Sequence, residues 1–240
     1  MAETIEDLQL GELKLIQDTD AFRFGTDAVL LSDFAKTLPS KRTLDLCCGN
    51  GIVPILLSHK TKTPQICGLE IQPGAYSLAC RSVALNRLEE RISITLGDLK
   101  EAEQFYEVRS FDVITCNPPY MKKGAALANE TDAKTIARHE VMCSLEDIIR
   151  TSARLLKQGG HLVMVHRPNR MAEVISLMRE YRIEPKRLRM IHPSVTAEPT
   201  LFLIDGLLYG GSELRIMPPL ILCGQDGGES EELKQIYGRR

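Results

Sequence analysis

The chain has 240 residues, enough for one large domain or one domain with a small annex and too many for a disulfide-stapled miniprotein. Hydrophobic residues at 43% and charged residues at 26% exclude wholesale disorder and fibrous architectures. A formal net charge of −2 excludes the coating of nucleic acid by bulk positive charge, though not a local basic patch.

No apolar run approaches the ~20 residues of a bilayer-spanning helix. The start, Met1–Asp7, is acidic and lacks the basic region and apolar core of a signal peptide, so a cytoplasmic protein without membrane contact is expected. Cys47, Cys48, Cys67, Cys80, Cys116, Cys143 and Cys223 form no C-x-x-C pair, and most lie in apolar stretches. Reduced, mostly buried thiols are expected. Neither the cysteines nor the histidines fall at ligand spacing, and no metal is expected.

In chain order, Thr43–Cys47 reads as a short strand ending in a glycine turn, and Ile52–His59 as a helix. Gln65–Glu70 is a second strand, and Pro73 opens a helix with Tyr76, Ala79, Cys80 and Val83 on one face. Ile92–Leu96 and Phe111–Cys116 are strands, the second breaking at Asn117-Pro118-Pro119-Tyr120. Ser144 caps a helix that carries Leu145, Ile148, Ile149, Ser152 and Leu156 on one side and stops at Gly159-Gly160. His161–Val165 is the next strand, and Met171, Val174, Ile175 and Met178 mark another helix. Leu188–His192, Thr200–Asp205 and Glu213–Ile216 read as strands with no long helix between them. This alternation predicts an α/β fold: a parallel sheet with helices on both faces and an antiparallel edge.

Open α/β sheets bind ligands beyond the C-terminal ends of their strands. The residues expected there are Asp45–Gly51, Glu70, Asp98 and Asn117–Tyr120. Gly49 and Gly51 let the backbone turn sharply and let a ligand approach a helix N-terminus. A dinucleotide fingerprint would want a third glycine where this chain has Pro54, which disfavours an oxidoreductase. Glu70, about 20 residues on, is placed to accept hydrogen bonds from both ribose hydroxyls of an adenosine. Asp98 is placed to reach an adenine edge. Each acid alone is also an ordinary turn or cap residue.

These residues resemble the S-adenosylmethionine site of class I methyltransferases. The resemblance implies a Rossmann-like fold with a mostly parallel seven-stranded sheet. In it Asp45, Cys47, Gly49 and Gly51 bound the methionine part, Glu70 with Ile71 holds the ribose, and Asp98 with Leu99 meets the adenine. Cys47 stands where many members have glycine. Upstream, Phe24-Gly25-Thr26-Asp27 resembles the segment that covers the cofactor's methionine end, and Asp27 also suits a helix N-cap.

Asn117-Pro118-Pro119-Tyr120 resembles the signature of methyltransferases that modify planar amino nitrogens. An amine conjugated to a ring is a poor nucleophile. The Asn117 side-chain oxygen and the Pro118 carbonyl can accept its two N–H groups and draw the lone pair out of conjugation. Pro118 and Pro119 stiffen the backbone, and Tyr120 offers a face for a flipped-out base.

The resemblance narrows further. Phe24–Asp27, Asn117–Tyr120, Ala137-Arg138-His139-Glu140, Met164–Pro168 and Met217–Leu220 occur in the order found in bacterial enzymes that methylate N6 of adenine 37 in a valine tRNA. It implies tRNA as partner and a single domain acting as a monomer or weak dimer. About 1–40 would cover the cofactor, 41–206 form the core and 207–240 a C-terminal extension. Candidate RNA contacts are Lys122, Lys123, Arg138 and His139, with Arg167, Arg187 and Arg189 from a basic stretch that also holds Arg170, Arg179, Arg182 and Lys186. That stretch reads equally as a solvated face, and Arg138-His139-Glu140 equally as a local salt-bridged turn. Such enzymes tend to be lysine-rich where this chain has Ser194–Glu198 and Gly206–Gly211, which lack any basic residue. Other planar amino substrates (DNA adenine, rRNA guanine N2, protein glutamine) and a non-catalytic cofactor-binding module are the alternatives.

Overall fold

A computed structural model describes residues 3–18, 25–118, 143–224 and 227–239. The chain opens with a hairpin, β1 (Glu3–Asp7) and β2 (Lys14–Asp18), followed by α1 (Thr26–Ala35). Then β3 (Arg42–Leu46), α2 (Ile52–Lys60), β4 (Gln65–Glu70), α3 (Pro73–Leu85), β5 (Ile92–Leu96) and β6 (Phe111–Cys116) alternate as predicted. The second half holds α4 (Leu145–Leu155), β7 (Leu156–His166), α5 (Met171–Glu180), β8 (Ile183–His192) and β9 (Leu201–Leu208). Two short strands, β10 (Arg215–Ile216) and β11 (Leu220–Ile221), and a final helix α6 (Glu231–Ile236) complete it.

The main sheet runs β10-β8-β9-β7-β6-β3-β4-β5, with β11 also on β8. Its body is the expected seven strands, β3 to β9, extended by the two-residue strands. Every pairing is parallel except those of β9, which is antiparallel to β7 and to β8. The antiparallel strand is therefore set one place in from the edge. From β3 the chain winds outward to β4 and β5, then returns to β6 on the other flank of β3. That reversal opens a crevice at the carboxyl ends of β3 and β6.

Alternation along the buried strands sends side chains to two apolar layers. Val163 and Val165 join the layer built with α1 and α2, whereas Leu162 and Met164 join the one built with α4 and α5. Ser144 caps α4 as expected, its Oγ accepting from the Asp147 N–H while the Asp147 carboxylate accepts from the Ser144 N–H.

Three boundaries differ from the sequence reading. The helix ends at Leu155 rather than at Gly159-Gly160, because Leu156 is already extended (φ −68°, ψ 138°) and pairs with Phe111. The glycines lie inside β7, where the register against β6 shifts. β8 begins five residues earlier than Leu188, at Ile183, because β9 is there to pair with it. The expected strand Glu213–Ile216 shrinks to Arg215–Ile216.

The N-terminal hairpin has no counterpart in the sequence reading. It braces α3: the Ile16 N–H donates to Ser82 Oγ at 3.0 Å, and the Lys14 N–H to Asn86 Oδ1 at 2.8 Å. Among the described residues all seven cysteines are free; three are buried, three half-buried, and Cys223 is exposed. No described helix is long and apolar enough to cross a membrane, and no described cluster suits a metal ion.

Candidate functional site

The crevice is built where Leu46 and Cys116 pair, so Cys47 and Asn117 leave their strands side by side. After β3 the backbone turns through three left-handed residues, Cys47 (φ 59°), Gly49 (φ 56°) and Gly51 (φ 85°). Gly51 is required twice over, since a Cβ there would also stand 3.2 Å from that of Ala79 on α3. A Cβ on Gly49 would meet nothing within 4 Å, so the turn presents bare backbone to open space. Cys47 adopts a conformation that suits glycine, which gives the departure from the family pattern a structural meaning.

Glu70, 4% exposed, holds this turn. Its Oε2 accepts from the Gly49 N–H at 2.9 Å, and its Oε1 from the Gln72 N–H at 2.8 Å. Ile71 beside it is half-buried. Asp45 is buried one strand over, its Oδ1 accepting from the Thr115 hydroxyl at 2.6 Å. Burial, with the Glu70 charge added, pushes the Asp45 carboxyl up to about 8 against the pull of that hydrogen bond. An acid so placed is neutral at pH 7 and ionises when a cation arrives beside it. Thr115 was missed in the sequence, although a lone hydroxyl in the apolar run before Asn117 is a readable signal.

Asp98 caps the 3₁₀ turn Leu99–Gln104, accepting from the Lys100 N–H at 2.9 Å, and Leu99 is buried. Asp98 stands two residues beyond the end of β5. Gly25, Thr26 and Asp27 form the start of α1. Gly25, not Asp27, is the N-cap, because the helix starts at Thr26; Asp27 lies in the first turn with its Oδ1 accepting from the Ala28 N–H.

At the end of β6, Pro118 is buried and Asn117 Oδ1 is buried without a hydrogen-bond partner among the described residues. A buried acceptor left open costs about 1–3 kcal/mol unless something supplies a donor. The Cys47 thiol hydrogen-bonds Cys116 and Cys143, and the first of these bonds raises its pKa most, well above the ordinary range. It is a protonated thiol and not a nucleophile. Phe24, Pro119, Tyr120, Lys122, Lys123, Arg138 and His139 lie outside the described residues.

The basic stretch does not form one patch. Arg187 Nε donates to the buried Asp205 at 2.8 Å, its other nitrogens donate to Thr37 Oγ1 and the Phe34 carbonyl, and its guanidinium covers the Phe34 ring at 4.6 Å. Phe34 and Thr37 are at the C-terminal end of α1, opposite the end that carries Thr26. Arg189 reaches Glu232 at 2.7 Å and the Pro218 carbonyl at 3.0 Å. Arg170 pairs with Glu173 and Arg179 with Glu184. Both residues have internal partners that sequence spacing does not reveal. Arg167 alone of the three directly follows a strand end beside Asn117.

The methyltransferase small domain family matches residues 19–183. The tRNA1(Val) (adenine(37)-N6)-methyltransferase of Porphyromonas gingivalis is 30% identical over 191 residues, covering 77% of this chain and 74% of that one. The protein of the same name from Parabacteroides distasonis is 28% identical over 197 residues, covering 82% and 81%. Among solved structures, the predicted O-methyltransferase Atu636 from Agrobacterium tumefaciens has a TM-score of 0.72 at 21% identity, over 88% of this chain and 95% of that one. TYW2 of P. horikoshii, solved in complex with MeSAdo, has a TM-score of 0.61 at 14% identity, over 87% and 72%. The structural likenesses bear on the fold alone. Glycine turn, buried acids and sequence kinship together place the chain in the methyltransferase small domain family, among the tRNA1(Val) (adenine(37)-N6)-methyltransferases.

Proposed function

We propose that this protein transfers a methyl group from S-adenosyl-L-methionine to N6 of an adenine in tRNA, adenine 37 of a valine tRNA, the substrate its curated relatives are named for. The observation that carries the reading is the open acceptor Asn117 Oδ1, buried beside the Cys47–Gly51 turn. The residues present fit the cofactor: a bare-backbone turn, a buried acid at Glu70, and a neutral acid at Asp45 that a cation would ionise. Asp45, Cys47, Gly49 and Gly51 would bound the methionine part, Glu70 and Ile71 the ribose, and Asp98 and Leu99 the adenine, with Phe24–Asp27 closing over them.

Bound there, the cofactor supplies an electrophilic methyl on a sulfonium. The chain's task is to make the amine a nucleophile and aim it. Asn117 Oδ1 and the Pro118 carbonyl accept the two N–H groups, which localises the nitrogen lone pair, and the buried strand end excludes water from it. Tyr120 would stack the extruded base. Fixed geometry between the two strand ends supplies much of the rate. We further propose that the chain acts as one domain, as a monomer or weak dimer, in the cytoplasm where its tRNA is.

The test is incubation with radiolabelled S-adenosylmethionine and separate pools of tRNA, rRNA, DNA and protein. N6-methyladenosine in tRNA supports the reading, and label in another pool moves the substrate to that class. Asn117→Ala should lose about 100-fold or more in single-turnover rate, as when a transition-state acceptor is removed. Its melting temperature should not fall, because Oδ1 makes no internal hydrogen bond among the described residues.

A further inference from the structure

Asp45 of β3 pairs with Thr115 of β6, one residue before both strands end at Leu46 and Cys116. Alternation turns the two side chains to the face that carries Val113 and Val163, the face covered by α1 and α2. In the same row Gly68 of β4 stands beside Asp45, and Val163 of β7 beside Thr115. Neither neighbour has a side chain that can donate a hydrogen bond. Among the described residues the partner of the Asp45 carboxyl is therefore the Thr115 hydroxyl, which donates to Oδ1 at 2.6 Å. Thr115 is 0% exposed and Asp45 2%.

A hydroxyl is an expensive group at such a place. The strand is otherwise apolar from Val113 to Cys116, and valine would fill the space of Thr115 with no polar atom to desolvate. What the hydroxyl does there is meet the acid. The other titratable groups beside Asp45 among the described residues are Glu70, at the end of β4, and the thiols of Cys48 and Cys116, which burial keeps protonated. Burial raises the Asp45 pKa, the Thr115 hydroxyl lowers it, and the Glu70 charge raises it again. Thr115 is thus the group that favours the carboxylate against the other two. It stands two residues before Asn117, so a single strand end carries the donor to the acid and the open acceptor.

We propose that Thr115 is a positioning residue: its hydroxyl aims the Asp45 carboxyl and stabilises its charged form, readying it for the cationic methionine end of the cofactor. This rests on the methyl-transfer reading above, which assigns Asp45 to that part of the cofactor. Asp45 meets the cofactor; Thr115 acts through Asp45.

The test compares wild type with Thr115→Val, Thr115→Ser, Asp45→Asn and the Thr115→Val, Asp45→Asn double variant. In the free proteins the Asp45 carboxyl is titrated by carbon-13 NMR with labelled aspartate. S-adenosylmethionine affinity is measured by calorimetry from about pH 6 to 9, and turnover on tRNA beside it. In Thr115→Val the carboxyl should titrate at higher pH than in wild type, because a bond to its charged form is gone. Cofactor binding at neutral pH should weaken about tenfold or more, the range for a hydrogen bond to a charged group. The loss should shrink toward the alkaline end, where solvent already removes the proton, and it should fall on the KM for the cofactor, not on that for tRNA. Thr115→Ser keeps the hydroxyl and should restore most of the affinity. Adding Thr115→Val to Asp45→Asn should cost nothing further, since one acts through the other. If Thr115→Val does not fold, Thr115→Ala makes the same comparison. An Asp45 titration that does not move, a loss equal at every pH, a serine variant no better than valine, or additive losses overturns the proposal. A wild type that binds no S-adenosylmethionine overturns the parent reading and this proposal with it. One that binds it, shows these Thr115 effects and methylates no tRNA adenine supports the proposal and overturns only the substrate.

Discussion

The carboxylate of Glu70 at the end of β4 accepts the Gly49 N–H at 2.9 Å, joining one strand end to the glycine turn of the next. The same side chain therefore shapes the pocket and is proposed to bind the ribose. Glu70→Ala should weaken cofactor binding by about 1.5–3 kcal/mol, the usual value of hydrogen bonds to a charged group. A calorimetric dissociation constant equal to wild type would remove Glu70 from the pocket.

Asp45 gives the free protein a pH signature. Its folded pKa of about 8 lies above the unfolded value of about 4, so the folded state holds the extra proton between them. The stability this contributes is full below about pH 4 and is lost as pH rises toward 8, at no more than about 1.4 kcal/mol per pH unit. Thermal melts from pH 5 to 8 should show wild type losing ground to Asp45→Asn, which stays neutral. Cofactor affinity should move the other way, tightening as pH rises in wild type and staying flat in the variant. Parallel pH profiles for the two proteins would sink the assignment.

Cys47 sits at φ 59°, where a side chain is strained. Cys47→Gly and Cys47→Ala both lose the thiol, so the difference between them isolates the backbone. The glycine variant should be the more stable by about 1 kcal/mol in denaturant titration. Equal midpoints would mean that the turn relaxes at no cost.

Arg187 is a pillar of the fold. Asp205 is 1% exposed, and its Oδ1 also accepts from His161 Nδ1 at 2.7 Å. Arg187→Ala removes its cation and should destabilise the protein by about 3 kcal/mol, as when a buried pair is broken from one side. The salt slope of tRNA binding should not change. A reduced slope in a still-folded variant would return Arg187 to the RNA interface.

Much of the architecture is legible in the sequence because its signals are local. The strand–glycine turn–helix at Thr43–His59, the Pro73 start, the Ser144 cap and the Asn117 motif are each set by residues within one turn or strand of one another. The acids at 45, 70 and 98 fall at or near the ends of three strands as soon as the strands are recognised. The hairpin Glu3–Asp18 stayed hidden because what holds it is side chains of α3, with Ile16 and Ser82 66 positions apart.

By itself, then, the sequence determines the order of elements, the parallel sheet and the chemistry available at its carboxyl ends. Tertiary structure decides who meets whom. A carboxylate or guanidinium shows its valence in the sequence but not its partner, and partners here are long-range: Asp45 with Thr115 across 70 positions, Arg189 with Glu232 across 43. Only strand pairing makes those encounters. It leaves Asn117 Oδ1 open at the crevice, buries Asp45 as an acid, and makes Arg187 the counter-charge of Asp205. The physical reason is desolvation: once the sheet removes water, each polar group must take whatever partner the topology brings, and that choice fixes its role.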